Sequence, residues 1–195
     1  MTRNRAPVAP LAPLGLLLLL AGCANQYRVP DGAPSASVRL LTSTDDNTAF
    51  LVANPSRCPN PPAPQTLAGT GKQLAAMGRE PGLGLAGASP QPPSRTRERK
   101  VEAGRRFYVV VNSADAESEK RVRCAVGVSF VPQPGGEYEI RYQRDETATT
   151  CSAQVFRLRP KPEGGAVVET EPTQRGFRAL RRDGICESTQ ARQDP

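Results

Sequence analysis

Glu137-Tyr138-Glu139-Ile140-Arg141-Tyr142 alternates charged and large apolar or aromatic side chains without a break. Successive side chains of a β-strand point to opposite faces, so Tyr138, Ile140 and Tyr142 share one face, and Glu137, Glu139 and Arg141 the other. The pattern predicts a strand with one buried and one solvated side. Residues 132–136 before it, Pro-Gln-Pro-Gly-Gly, read as a turn. Upstream of that turn, Cys124, Val126, Val128 and Phe130 fall on one face of another strand. Downstream, 145–150 reads as a loop and 153–158 as the third strand of a meander.

The rest of the chain repeats this style in weaker form. Residues 37–42 predict a strand, 43–47 a turn and 49–53 its hairpin partner. Further strands are predicted at 97–102, 107–111 and 166–169, and 176–182 reads as a last strand or short helix. Residues 54–94 differ: they hold nine Pro and a Gly-rich run at 82–87. They read as a long irregular loop, pinned at Cys58 and otherwise disordered, with room for a short helix at 72–77. Seven or eight short strands with almost no helix predict an all-β fold. The expected form is a single antiparallel β-sandwich over 36–190 that carries the 54–94 loop.

Composition narrows the function. Of 195 residues, 37% are hydrophobic and 23% charged, with 20 Pro, no Trp and no His. The absence of His removes His-based triads, most catalytic zinc sites and the commonest general base. Carboxylate pairs remain, at Asp45 with Asp46 and at Glu137 with Glu139, but the first suits a turn and the second a solvated strand face. Gly82, Gly84 and Gly87 have dinucleotide-loop spacing, yet Arg79-Glu80-Pro81 precedes them where a buried strand belongs. Thr70-Gly71-Lys72 lacks the flanking residues of a phosphate loop. The sequence predicts neither an enzyme nor a cofactor or metal site.

The opening residues carry the most specific signal. Arg3 and Arg5 precede a short leucine run, and Leu20-Ala21-Gly22-Cys23 follows it. This resembles the lipobox of bacterial lipoproteins. The resemblance implies cleavage after Gly22, a diacylglyceryl group on the Cys23 sulfur and acylation of the new amino group. Several acyl chains would hold the protein to a membrane lastingly. Ala24 in place of Asp implies the periplasmic face of the outer membrane. Residues 1–22 are then a signal peptide and 23–35 a flexible tether, through Pro30, Gly32 and Pro34. Removing 22 residues leaves 173, with 24 basic and 19 acidic side chains, a formal charge of +5.

Setting Cys23 aside leaves Cys58, Cys124, Cys151 and Cys186, an even number that in an exported chain predicts two disulfides. Three connectivities are open. Cys124 and Cys151 open the outer strands of the expected meander, about 9–10 Å apart, whereas a disulfide needs Cα atoms within about 7 Å. That favours Cys58–Cys124 with Cys151–Cys186.

The expected domain loosely resembles small immunoglobulin-like or transthyretin-like periplasmic lipoproteins. It also resembles proteobacterial lipoproteins with a Phe-x-Pro-x-x-Gly-x-x-Tyr pattern, here Phe130-Val131-Pro132 and Gly135 or Gly136 before Tyr138. No activity follows from that hairpin pattern. The predicted role is a lipid-anchored, non-enzymatic accessory or scaffold subunit that binds an envelope protein. The alternative is a binding module for an anionic envelope glycan or lipid such as peptidoglycan or lipopolysaccharide, using Arg175, Arg178, Arg181 and Arg182, with Tyr27 and Tyr108 as further contacts. Nucleic acid is not an expected partner, because no basic stripe is interleaved with aromatics.

Overall fold

The structure, a computed structural model, describes residues 26–71, 82–114, 123–145, 150–179 and 185–186. The leader with Cys23, the helix expected at 72–77, Arg181 and Arg182 lie outside them. The fold is all-β, with ten strands among the described residues: β1 Ser35–Thr42, β2 Asn47–Ala53, β3 Gln65–Thr70, β4 Thr96–Glu102, β5 Phe107–Ala114, β6 Arg123–Phe130, β7 Glu137–Arg144, β8 Cys151–Pro160, β9 Ala166–Thr170 and β10 Arg175–Phe177. They form two five-stranded sheets, ordered β4-β1-β7-β8-β9 and β10-β6-β5-β2-β3.

Apart from β3, the strand positions agree with the sequence pattern, but their partners differ. β1 and β2 are not a hairpin: β1 pairs with β4 and β7, and β2 with β3 and β5. The connection arches from one sheet to the other. The Thr42 hydroxyl accepts from the Thr44 amide at 3.3 Å and lies 3.4 Å from that of Thr48, so polar groups at the arch satisfy one another. β7 runs parallel to β1, which makes the first sheet mixed where a wholly antiparallel one was expected.

The expected meander of β6, β7 and β8 also divides. β7 and β8 pair as a hairpin, whereas β6 belongs to the other sheet. Residues 131–136 carry the chain across. The Gly135 amide donates to the Ser35 carbonyl at 2.8 Å, and the Ser37 amide to the Gly136 carbonyl at 2.9 Å, which delivers the chain alongside β1. Tyr138 folds back beneath this turn and its hydroxyl accepts from the Gln133 amide at 2.8 Å. A Cβ on Gly136 would lie 2.8 Å from the Tyr138 ring, so the close approach requires glycine.

The main core lies between the sheets. Val38, Leu40, Tyr138, Ile140, Tyr142 and Val155 come from the mixed sheet, and Phe50, Leu67, Val109, Val111, Val128 and Phe130 from the other. Tyr142 donates or accepts across the core with the Ser113 hydroxyl at 2.6 Å, and burial raises its phenol pKa. The second sheet is buried on its far side as well. There Ala53, Tyr108 and Val110 pack with Ile185 and Cys186, and the Phe177 ring lies edge-on to Tyr108. Gly127 makes room for Phe177, since a Cβ there would approach that ring to 2.6 Å.

The cysteines pair as Cys58–Cys186 and Cys124–Cys151, with Cα separations of 5.5 and 6.2 Å, which corrects the expected connectivity. A separation of about 9–10 Å holds only for outer strands of one sheet. Because β6 and β8 belong to different sheets, Cys124 and Cys151 face each other and staple the sheets together. Cys58–Cys186 instead ties the chain's end onto the far side of the second sheet, within the smaller apolar cluster.

Two further expectations need correction. From Gln26 onward the stretch read as a tether contacts the domain: Tyr27 donates its amide to Thr66 at 2.8 Å, accepts from the Glu102 amide through its hydroxyl, and sets its ring against Phe107. The 54–94 loop contains β3, which its prolines obscured, and 82–94 is laid against the mixed sheet rather than disordered.

The separations of 128 and 27 residues give the bridges different expected contributions. The chain-entropy relation assigns about 5 kcal/mol to Cys58–Cys186 and about 3.5 kcal/mol to Cys124–Cys151. Urea unfolding of the two double-serine variants should therefore show the larger loss for Cys58→Ser/Cys186→Ser. Equal losses, or the reverse order, would contradict the chain-entropy account.

Candidate functional site

A buried constellation of charged side chains lies on the outer face of the mixed sheet. β1 places Arg39 there, opposite Glu98 of β4 and Glu139 of β7 in the strand register. Arg39 is 3% exposed and Glu139 1%. The Arg39 guanidinium donates to Glu98 at 3.0 Å and to Glu139 at 2.9 Å. Its remaining donors reach the carbonyls of Leu85 at 3.0 Å and Gly87 at 2.9 Å. The second Glu139 oxygen accepts from Arg141 at 2.8 and 2.5 Å, and the Arg141 guanidinium stacks over Phe156 at 4.3 Å.

Residues 82–87 therefore form a strap across the sheet. The Leu83 and Gly84 amides donate to Glu98 at 2.6 and 3.1 Å, and the Ala86 amide to Glu137 at 2.7 Å. Carboxylates take the strap's amides and a guanidinium takes its carbonyls. Leu85 of the strap is buried, and so are Leu41 and Leu158, which share the outer face of the sheet with Arg141 and Glu137. The glycine spacing that resembled a dinucleotide-binding loop thus presents its amides to two carboxylates of the same chain.

This corrects the solvated-face reading of Glu137 and Glu139. Both oxygens of Glu139 are engaged by guanidinium groups, and Glu137 accepts from the strap. A buried carboxylate is tolerable only when so compensated. The other carboxylate pair is also committed. Asp45 receives two donors from Arg95, at 2.7 and 2.6 Å, and Asp46 pairs with Arg144, tying the β1–β2 arch to the lead-in of β4 and the end of β7.

A second buried acid, Glu171, has no precursor in the sequence reading. Its carboxylate accepts from Arg157 at 3.0 and 3.2 Å and from the Thr173 amide and hydroxyl at 3.0 and 2.7 Å. Thr173 in turn accepts from the Val131 amide and, through its carbonyl, from Arg106. The cluster closes one end of the core beside Tyr138. Oppositely charged residues on three different segments were visible in the sequence, but their register was not.

The expected anionic-partner residues are placed in part. Arg175 begins β10 and Arg178 follows it, both exposed. Tyr27 and Tyr108 are packed into the domain rather than offered at its surface. Among the described residues no group of three or more His, Cys, Asp or Glu side chains is arranged to hold a metal.

The arrangement predicts a steep contrast between two arginines. Arg39→Ala removes a partner from buried Glu139 and should lower unfolding free energy by about 3–5 kcal/mol. Arg95→Ala, at a more exposed pair, should change it by about 1 kcal/mol or less. Urea unfolding with intact disulfides measures both, and equal effects would contradict the assignment of the Arg39 cluster as the structural one. Comparison with known proteins provides no family assignment: no family model, curated protein or solved structure matches this chain.

Proposed function

We propose that the chain is an exported lipoprotein, anchored through Cys23 to the periplasmic face of the outer membrane, where it serves as a non-enzymatic accessory or scaffold subunit for an envelope protein. The single observation that carries this reading is the pairing of all four remaining cysteines, Cys58–Cys186 and Cys124–Cys151. Disulfides persist in oxidising compartments such as the periplasm, which agrees with a lipobox-bearing leader. In this reading the two stapled sheets form a sandwich of the immunoglobulin-like or transthyretin-like kind. The carboxylate pairs that could have served chemistry are engaged by arginines and main chain instead, which supports a binding role.

A second reading, a module for anionic glycan or lipid headgroup, draws on the exposed Arg175 and Arg178 and on the positive mature charge. Crosslinking in intact cells separates the two: a discrete protein adduct favours the accessory role, and retention on purified peptidoglycan or lipopolysaccharide the other.

The anchor is tested by labelling cells with radioactive palmitate and fractionating them. The native chain should be labelled and remain with membranes after alkaline extraction, and Cys23→Ala should lose both properties. An unlabelled native chain recovered from the cytoplasm with reduced cysteines would overturn the proposal.

A further inference from the structure

The two sheets have four edge strands, and three of them are guarded. β4 carries Arg97, Glu98, Arg99, Lys100 and Glu102. β3 is covered where Tyr27 donates to Thr66 and Arg99 to the Leu67 carbonyl. β10 is three residues long. Among the described residues β9 is the least guarded: Ala-Val-Val-Glu-Thr contains no Lys, Arg or Pro, only Gly87 packs against its first residue, and Val167 and Val168 are 41% and 44% exposed on its two faces. Natural sheets commonly block such an edge because it offers unpaired main-chain groups to another strand.

Lys161 donates its amide to the Gly165 carbonyl at 3.2 Å, and Glu171 to Val155 at 2.9 Å, within one continuous β8–β9 register. Hydrogen-bonded residues alternate along an antiparallel pair. Val167 and Glu169 therefore turn their amide and carbonyl groups toward β8, and Ala166, Val168 and Thr170 turn theirs outward. Gly87 packs against Ala166 and marks the near end of the free edge.

We propose that β9 pairs with β9 of a second copy of this chain, antiparallel about a two-fold axis at Val168. In that register Val168 meets its symmetry mate and Ala166 meets Thr170, so all three outward-facing residues exchange hydrogen bonds. On the other face Val167 meets Glu169. Centring on Glu169 would oppose two carboxylates, and centring on Val167 would leave Thr170 facing a turn glycine. The Glu169 carboxylate is already compensated by Arg159 at 2.9 Å, so no like charges collide at Val168-centred pairing. The contact is isologous and closes at two copies, joining the two mixed sheets into one. A five-residue edge buries less than a standard stable interface, so the dimer forms in a concentration-dependent manner.

The test uses the full chain as the cell makes it, purified in detergent, and the variants Val168→Pro and Val168→Lys. Proline at 168 removes only an outward amide and leaves the β8 ladder intact. Between about 10 µM and about 1 mM, sedimentation should show the protein mass doubling and the Val168 and Thr170 amides should exchange at least about tenfold more slowly. In both variants the mass should stay that of a monomer and the Thr170 amide should show no concentration-dependent protection, with the disulfides still formed. A monomer throughout the range, protection that does not depend on concentration, or a dimer that survives both variants would overturn the proposal.

Discussion

The Arg39 guanidinium is the group on which three strands and the strap converge. It lies out of water, where an unpaired charge would be prohibitive, and it escapes that penalty only because Glu98, Glu139 and two carbonyls are placed around it. The placement demands that β4, β1 and β7 hold one register and that residues 82–87 cross all three. A slip of one residue in β1 would bring Val38 or Leu40 to the outer face and thrust Arg39 into the apolar core. The charge thus acts against alternative registers that the apolar pattern alone would tolerate.

The sandwiched core and the outer cluster divide the work. Between the sheets, aromatic and branched side chains supply non-directional burial, and the Cys124–Cys151 bridge holds the layers together. Outside the mixed sheet the strap supplies a third layer that is held mainly by polar contacts. Its main chain is satisfied by side chains rather than by a neighbouring strand, which lets a glycine-rich segment lie over a sheet without joining it. Outside the second sheet, the Cys58–Cys186 bridge and Phe177 perform the same covering function with apolar groups. Each cover is partial: loops, strand edges and the exposed stretch of β8 and β9 remain open to a partner.

Strand positions were legible because the two-residue period is local. Tyr138, Ile140 and Tyr142 announce their common face from within six residues, and the cysteines at 124 and 151 mark where strands open. Partners were not legible, because the same alternation is satisfied in any sheet and the contacts that decide it are remote in sequence. The meander error came from reading 132–136 as a tight hairpin turn, when its main chain is bound to Ser35 and Ser37 almost a hundred residues earlier. The strap was hidden for the same reason: Arg39 finds its carbonyl partners 46 and 48 residues away and Glu139 100 residues away. Charge patterning on β7 looked like solvent exposure, since a sequence does not show what will be laid over a face.

The most direct measurement is amide hydrogen exchange of the native chain, read at Leu83, Gly84 and Ala86 against β1 and β7. If the strap is a structural layer locked by Glu98, Glu137 and Arg39, these three amides are expected to exchange slowly, with opening free energies close to those of the strands beneath. Exchange at the rate of an unstructured glycine-rich peptide, beside fully protected strands, would contradict the account and return the outer face of the sheet to solvent.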